Sequence, residues 1–342
     1  MSLLEIKGLE TEFQTEQGVV KALRGINYTV DRGEVLGIVG ESGSGKSVGM
    51  LSLMGLLAPN GTVTAGEMIF DGEDISPIKY KTKKEYEKKM NQIRGNDISM
   101  IFQDPMSYLN PIVTIEKQMT EGIRFHTKCS KKEAVQRAIE LMKMVGIPAP
   151  ESRLKQYPFE FSGGMRQRII IAIALACNPK LIVADEPTTA LDVTVQAQIL
   201  DLLKDITKES NAGVIIITHD LGVVASLCDR ISIMYGGNIM EEGTTNEIFY
   251  DPKHPYTKGL LNSIANSNVD HREPLKPIPG TPPDLLKLGD QCPFASRCSE
   301  AMEICTKASP LVTEFGETHK CKCWLHCKER WHEVLKGEDA YE

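Results

Sequence analysis

The sequence predicts an α/β domain built around a mostly parallel sheet, followed by a small cysteine-rich extension. From residue 162 to residue 242, helix-like and strand-like segments alternate along the chain, which is typical of a parallel sheet flanked by helices. A glycine-rich segment between a strand and a helix begins at residue 40. Beyond residue 250, prolines and cysteines accumulate. We therefore expect residues 1–250 to form the domain and residues 251–342 to form the extension.

The individual elements follow from composition and from the residues that end them. Runs rich in Val, Ile and Leu predict strands at 3–9, 19–23, 26–30, 34–39, 66–70, 98–102, 181–185, 214–218, 231–235 and 238–242. Helical patterns predict helices at 46–57, 115–125, 132–145, 162–177 and 193–208. The charged stretch 81–89 is expected to be a solvated helix face, and the proline-rich stretch after residue 250 an extended, turn-rich segment.

Charge and hydropathy exclude two broad classes of protein. The chain has 342 residues and a formal net charge of -7, which argues against a protein that coats nucleic acid. Its most apolar runs, 169–177 and 214–217, are much shorter than the roughly 20 residues that span a bilayer. The first residues lack the pattern of a secretory signal. We therefore expect a cytoplasmic protein that would reach a membrane only by docking onto membrane subunits.

The glycine-rich segment matches the pattern G-x-x-x-x-G-K-S of a phosphate-binding loop. Its residues, all expected to bind ATP, are Gly40, Glu41, Ser42, Gly43, Ser44, Gly45, Lys46 and Ser47. Backbone N–H groups of such a loop surround the β-phosphate at the positive end of the following helix. Lys46 would contact the β- and γ-phosphates, and the Ser47 hydroxyl would bind Mg²⁺. The alternative is an ordinary glycine-rich turn.

A second element of a nucleotide site ends the expected strand 181–185. Asp185 is placed to hold Mg²⁺, and Glu186, one residue later, to polarise the water that attacks the γ-phosphate. Acidic pairs at strand ends are also common turn residues. The phosphate-binding loop about 140 residues upstream favours the functional interpretation.

The segment Phe161-Ser162-Gly163-Gly164-Met165 resembles the L-S-G-G-Q signature of the ABC ATPase family. This resemblance implies a P-loop NTPase fold with an antiparallel β subdomain and a helical subdomain. It also implies that Ser162, Gly163, Gly164 and Met165 cap the ATP of a partner subunit in a head-to-tail dimer. A glycine turn capping a helix is the alternative. Phe161 and Met165 depart from the consensus, and Met165 offers no amide to the partner's nucleotide.

Four more residues match the family in the expected order along the chain. The resemblance implies that Gln103 senses Mg²⁺ and the attacking water, and that Asp192 in Thr189-Ala190-Leu191-Asp192 crosses the dimer interface. It implies that His219 contacts the γ-phosphate, although a lone histidine at a strand end is usually structural. Phe13 is the candidate for stacking on adenine and could equally belong to the core. Glu186, His219 and Gln103 are thus the expected catalytic residues.

The variant F-S-G-G-M-R-Q-R and the segment His254-Pro255-Tyr256-Thr257 resemble the D-type ATPase of bacterial dipeptide and oligopeptide importers. This resemblance implies a related F-type ATPase as partner, two membrane permeases, and an extracellular solute-binding protein. It places the chain on the cytoplasmic face of the membrane. The same subfamily imports nickel and oligosaccharides, and no residue of an ATPase subunit touches the solute. A soluble ABC ATPase of repair or translation, or a nucleotide-switched regulatory module, are the alternatives from other classes.

Six of the nine cysteines lie after residue 290, which favours a metal site over disulfides in a reducing compartment. Their spacing does not identify the metal. The family resemblance implies a [4Fe–4S] cluster held by Cys292, Cys298, Cys305 and Cys323. Cys323 is preferred over Cys321 because it precedes an aromatic residue. We expect the cluster to be structural, since the extension is short and poor in apolar residues.

Overall fold

The computed structural model describes residues 2–102, 108–187, 193–263, 277–327 and Trp331. The chain divides into two compact units. The first comprises Met1–Glu5, Thr29–Val35 and Ile69–Ile217, and the second comprises Ile6–Tyr28, Leu36–Met68 and Thr218–Glu342. Among the helices of the described ranges, none combines the length and the apolar character needed to cross a membrane.

Strands and helices alternate through the described ranges. The strands are β1 Ser2–Thr15, β2 Gly18–Asp31, β3 Val35–Val39, β4 Gly61–Phe70, β5 Glu73–Asp74, β6 Ile98–Ile101, β7 Leu181–Asp185, β8 Gly213–Thr218, β9 Arg230–Tyr235, β10 Asn238–Thr244, β11 Val312–Glu314 and β12 Lys320–Lys322. The α-helices are α1 Lys46–Met54, α2 Lys83–Ile93, α3 Ile115–Thr127, α4 Lys131–Met144, α5 Pro150–Arg153, α6 Gly163–Ala174, α7 Val193–Ser210, α8 Leu221–Leu227, α9 Thr245–Tyr250, α10 Pro255–Asn262 and α11 Glu303–Lys307. Short 3₁₀ helices lie at Pro77–Lys79, Pro158–Glu160, Ala295–Arg297 and Trp324–His326.

The first unit contains three parallel strands and a group of helices. β7 lies between β6 and β8 and pairs in parallel with both. Every residue of β7 and β8 is buried, as expected for parallel strands covered on both faces. The helices α3, α4, α5 and α6 adjoin one another, and the start of α3 donates from Glu116 N to the Leu154 carbonyl at 2.7 Å. The parallel strands and the helical group agree with the expected fold class.

The second unit contains a mixed set of strands in the order β11-β12-β10-β9-β3. β3 and β9 are parallel, whereas β9–β10, β10–β12 and β11–β12 are antiparallel. Leu36, Ile231 and Ile233 are completely buried along the parallel pair. β12, in the cysteine-rich region, pairs directly with β10 through Cys321 and Glu241.

A separate sheet has the order β2-β1-β4-β5 and supplies the expected antiparallel component through the β4–β5 pair. The expected strands 19–23 and 26–30 are one continuous strand, β2. Gly25 has a φ of 74° inside β2. A glycine tolerates this left-handed conformation, so the strand accommodates an irregular residue and continues where the sequence indicates a break.

Other differences from the predicted elements have local causes. Helix α1 ends at Met54, three residues early, because Gly55 adopts a left-handed φ of 61° and its N–H bonds back to the last turn. Residues 83–89 of the charged stretch belong to α2, which buries Tyr86, Met90 and Ile93. The region after residue 250 contains helix α10, where we expected only extended chain. Its first residue is Pro255, a residue favoured at the first helical position.

Candidate nucleotide-binding site

The phosphate-binding loop (residues 40–47) connects the completely buried strand β3 to helix α1 in the second unit. Two of its glycines are required by close backbone approaches. A Cβ atom on Gly40 would lie 2.1 Å from the Met234 carbonyl oxygen, and one on Gly45 would lie 2.8 Å from the Ala22 carbonyl oxygen. Gly45 also has a φ of 103°. In this loop conformation there is no room for a side chain at these two positions, so both must be glycine.

Lys46 is the buried cation of this loop. Its side chain donates from Nζ to the carbonyl oxygens of Gly40 at 2.7 Å and Glu41 at 2.9 Å, with Ser44 Oγ at 3.5 Å. Ser42 and Gly43 are exposed at the tip of the loop, and Ser47 is half-buried. The structure thus brings together the predicted phosphate-binding residues around one ammonium group at the start of a helix.

Glu41 is contacted by residues that are distant in sequence. Its backbone N–H donates to the Tyr256 hydroxyl at 3.0 Å. Its carboxylate accepts hydrogen bonds from Arg297, from NH1 at 2.6 Å and from NH2 at 3.1 Å. Sequence reasoning missed both partners, because Tyr256 and Arg297 lie in the extension and no local pattern links them to the loop.

The two other predicted residues of this unit lie in different settings. The half-buried Phe13 ring packs on Gly61, where a Cβ atom would be 2.7 Å from Phe13 Cε1. His219 is exposed directly after β8. Asp220, which follows it, caps helix α8 by accepting from the Gly222 and Val223 N–H groups. Adenine stacking by Phe13 and γ-phosphate contact by His219 remain predictions.

In the first unit, the acidic pair lies at the end of β7. Asp185 is buried, with 8% of its surface exposed. Glu186 is half-buried and has a φ of 47°, a left-handed conformation that is costly for a non-glycine residue. Its N–H donates to the Ile217 carbonyl at 2.8 Å. Such backbone strain is concentrated at functional sites.

Gln167 holds the segment that follows this acidic pair. Its side chain is 1% exposed and donates from Nε2 to the Pro187 carbonyl at 2.7 Å. Gln167 thereby connects helix α6 to the residue after Glu186. Sequence reasoning did not select it as a site residue. A buried glutamine on an otherwise apolar helix face is a signal that could have identified it.

The signature segment (residues 161–165) begins helix α6. Ser162 is its N-cap, and the Ser162 hydroxyl accepts from the Met165 N–H at 3.4 Å. Ser162 and Gly163 are exposed, and a Cβ atom on Gly163 would meet nothing within 4 Å. The start of this 12-residue helix is therefore open beside Gly163, while the Met165 N–H is bonded to the Ser162 hydroxyl. An open helix start is suited to binding an anion.

Arg153 contacts both residues that depart from the consensus signature. Its guanidinium lies 5.7 Å from the centre of the buried Phe161 ring, and NH1 lies 3.6 Å from the Met165 sulfur. A phenylalanine provides a π-face for this cation, which a leucine does not. The two departures therefore form one local arrangement with Arg153.

Two predicted residues cannot be placed. Gln103, and Asp192 with the preceding Thr189-Ala190-Leu191, lie outside the described residues. Their predicted roles at the attacking water and at the dimer interface stay predictions.

The prediction of a [4Fe–4S] cluster is contradicted. In the described part of the chain, no group of three or more His, Cys, Asp or Glu residues is arranged to hold a metal ion, and this includes Cys292, Cys298, Cys305 and Cys323. Burial raises the pKa of the Cys292 thiol to about 12 and that of the Cys323 thiol to about 12.

Ordinary packing holds this region instead. Trp324 is 1% exposed and its indole N–H donates to the Ala308 carbonyl at 2.9 Å. The Phe294 ring packs against Tyr235 and Tyr256, with ring centres 5.3 and 5.2 Å apart. The region thus buries aromatic residues against β9 and α10.

Comparisons with known proteins agree with this geometry. The profile of the family described as "ABC transporter" matches residues 23–189. The oligopeptide transport ATP-binding protein OppD of Bacillus subtilis is 52% identical over 94% of this chain and 88% of its own length. The dipeptide transport ATP-binding protein DppD of the same organism is 49% identical over 98% of each chain. A solved dimeric post-hydrolysis state of the ATP-binding cassette MJ0796, bound to ADP and Pi, is similar with a TM-score of 0.61. It is 29% identical and covers 71% of this chain and 98% of its own.

The chain therefore belongs to the ABC transporter family, as an ATP-binding protein with the P-loop NTPase fold. A second profile, described as "Oligopeptide/dipeptide transporter, C-terminal region", matches residues 240–305. The similarity to oligopeptide and dipeptide transport ATP-binding proteins thus includes both the nucleotide-binding region and part of the C-terminal region.

Proposed function

We propose that this chain is the subunit that binds and hydrolyses ATP to energise an ABC importer of dipeptides or oligopeptides. The observation that carries the ATP site is the glycine-dependent loop before α1, with the Lys46 ammonium inside it. The peptide class is supported by near full-length similarity to oligopeptide and dipeptide transport ATP-binding proteins.

In the proposed binding step, N–H groups of the phosphate-binding loop and the positive end of α1 hold the β-phosphate. Lys46 exchanges its loop carbonyls for β- and γ-phosphate oxygens. The Ser47 hydroxyl and the Asp185 carboxylate are oxygen donors of the kind that Mg²⁺ prefers, so the donor set fits this ion. When bound, Mg²⁺ neutralises charge that develops on the phosphate oxygens.

In the proposed hydrolysis step, Glu186 orients and polarises the attacking water. His219 contacts the γ-phosphate, and Gln103 senses the attacking water. Phe13 stacks on the adenine ring.

The signature segment acts on a second nucleotide. Its exposed N–H groups cap the γ-phosphate of ATP held by a related F-type ATPase in a head-to-tail heterodimer, with Asp192 at the interface. The heterodimer docks on the cytoplasmic side of two membrane permeases, which an extracellular solute-binding protein supplies. Residues 251–342 form the C-terminal extension of the subunit, following the ATP-binding domain 1–250.

The test is to purify the tagged chain from its native membranes and identify every protein that accompanies it. We expect a second, non-identical ATPase and two permeases, and peptide-stimulated ATP hydrolysis when the solute-binding protein is added. Stimulation by nickel or an oligosaccharide instead of peptides would reject the peptide class. Recovery with ribosomal or nucleic-acid partners would reject transport.

The Glu186→Gln variant tests the catalytic assignment in the same complex. ATP binding should persist while turnover falls about 100-fold or more, the range of general-base contributions. The matched control is Glu209→Gln, an exposed carboxylate on α7, which should leave turnover unchanged. Turnover of wild-type magnitude in Glu186→Gln would reject Glu186 as the catalytic residue.

A further inference from the structure

Glu41 places an acidic residue in a loop that binds phosphate. It is the second residue of the loop, directly after Gly40, and its carbonyl oxygen accepts from Lys46 at 2.9 Å. A carboxylate beside a triphosphate opposes nucleotide binding, because like charges repel over several ångströms where water is partly excluded. An uncompensated charge on Glu41 would therefore weaken the binding of ATP to the loop.

Arg297 supplies the compensating charge. Both terminal nitrogens of its guanidinium donate to the Glu41 carboxylate, at 2.6 and 3.1 Å, in a bidentate contact. The Arg297 side chain is only 5% exposed and that of Glu41 is 26% exposed. Such a bidentate pair with little access to water is one of the stronger charge-assisted contacts in proteins.

The remaining donors of Arg297 are fixed by the C-terminal region. Nε donates to the Pro279 carbonyl at 2.8 Å, NH2 to the Ile278 carbonyl at 3.3 Å, and NH1 to the Tyr235 hydroxyl at 3.1 Å. The guanidinium also lies 5.7 Å from the centre of the Tyr235 ring. The cation therefore cannot move away from Glu41 without leaving several buried partners.

We propose that Arg297 is a positioning residue for nucleotide binding, through which the C-terminal region neutralises Glu41 and sets the ATP affinity of the phosphate-binding loop. This inference rests on the proposed ATP site and goes beyond it, because it gives the C-terminal region a role at that site. Tyr256, from α10, adds to this by accepting the Glu41 N–H and holding the backbone beside the charge pair.

The test compares Arg297→Gln, Glu41→Gln and the double variant in the full-length chain, with binding of a fluorescent ATP analogue as the readout. Arg297→Gln leaves the carboxylate uncompensated, and we expect the dissociation constant to rise about tenfold. Glu41→Gln removes the acidic charge and leaves the Arg297 cation beside the loop, so it should lower the dissociation constant. The double variant should return to within about threefold of wild type, since it contains no uncompensated charge.

A purely structural role of Arg297 gives a different pattern. Loss of the contact would then weaken binding in all three variants, and the double variant would bind no better than Arg297→Gln. That result would overturn the inference. Arg297→Lys keeps the charge but not the bidentate geometry, and it should recover part of the affinity.

Two controls keep the outcome interpretable. Thermal unfolding identifies a variant that fails to fold. If Arg297→Gln is one, the inference still stands or falls on Glu41→Gln, whose weaker binding would refute it. In the purified transporter, Arg297→Gln should raise KM for ATP with kcat unchanged. If the wild-type chain binds no ATP, the proposed function fails; if it binds ATP and Arg297→Gln binds equally well, only the inference fails.

Discussion

The phosphate-binding loop and the signature segment both begin a helix with glycines, yet their surroundings are opposite. In the loop, Gly40 and Gly45 are pressed against backbone carbonyls and Lys46 is buried. In the signature segment, Ser162 and Gly163 are exposed, and a side chain on Gly163 would meet nothing. The glycines of the loop approach residues of their own unit, whereas Ser162 and Gly163 of the signature segment are exposed.

The two segments also differ in how fully they match the family patterns. The loop matches the complete G-x-x-x-x-G-K-S pattern, and close contacts account for the glycines at Gly40 and Gly45. The signature segment departs from the family consensus at Phe161 and Met165, and Arg153 contacts both departures. Here the two departures and the neighbouring Arg153 form one set of contacts at the start of α6.

The largest difference between variants of the phosphate-binding loop and variants of the signature segment should appear in nucleotide binding by the isolated chain. Lys46→Ala should weaken ATP binding about 10- to 100-fold, because hydrogen bonds to charged groups contribute roughly 1.5–3 kcal/mol. Ser162→Ala should change the affinity less than about twofold and cost about 1 kcal/mol of helix capping. Titration with a fluorescent ATP analogue measures both. Unchanged affinity in Lys46→Ala would contradict the assignment of the phosphate-binding loop.

The two glycines provide a matched test of stability. Gly40→Ala places a methyl group against the Met234 carbonyl, and we expect it to lower the free energy of unfolding by about 1–3 kcal/mol. Gly163→Ala enters open space at the start of α6, where alanine favours the helix, so stability should be unchanged or slightly higher. Urea unfolding of the two variants measures the difference. Equal destabilisation would show that the two segments are packed alike.

The third prediction concerns His254 and the dependence of protein stability on pH. Complete burial, with smaller contributions from His326 and Lys258, lowers the pKa of His254 to about 3. In the unfolded chain His254 therefore takes up a proton near pH 6.5, whereas in the folded chain it stays neutral until about pH 3. Stability should fall as pH drops through this window, by up to about 1.4 kcal/mol per pH unit from this group.

His254→Asn is the variant that isolates this effect. Asparagine retains an acceptor for the Tyr256 N–H, which His254 Nδ1 accepts at 3.0 Å, but it does not titrate. Its unfolding free energy should depend less steeply on pH between about 6.5 and 4 than that of the wild type. Parallel pH profiles would show that His254 is accessible to protons in the folded chain.

The smallest effect is expected in the signature segment. Met165→Gln restores the consensus amide, and we expect KM for ATP in the assembled transporter to fall about two- to threefold, the effect of one modest hydrogen bond. Met165→Leu is the control without an amide and should leave KM unchanged. Unfolding free energies should agree within about 0.5 kcal/mol. A change in Met165→Leu as large as in Met165→Gln would assign the effect to loss of the Arg153 contact.

Much of the fold could be predicted from local pattern. Strands β3 and β7 were predicted with their C-terminal ends correct, because continuous apolar runs are bounded by glycine or acidic residues. The join within β2 was missed, since Gly25 indicates a break unless its pairing with neighbouring strands is known. The wrong prediction of an iron–sulfur cluster has a similar origin. A dense set of cysteines resembles a ligand set, but only packing shows whether their sulfur atoms converge.

Contiguous residues were enough to predict three elements: the phosphate-binding loop, the Asp185-Glu186 pair and the signature segment. Each is a short motif with a mechanism that needs no distant residue. Tertiary structure alone decided the left-handed backbone of Glu186, the position of Arg153 beside the signature, and the Arg297–Glu41 pair, whose partners are 256 residues apart. Burial and ion pairing depend on which distant segments of the chain come into contact. Local helix and strand propensities do not predict those contacts.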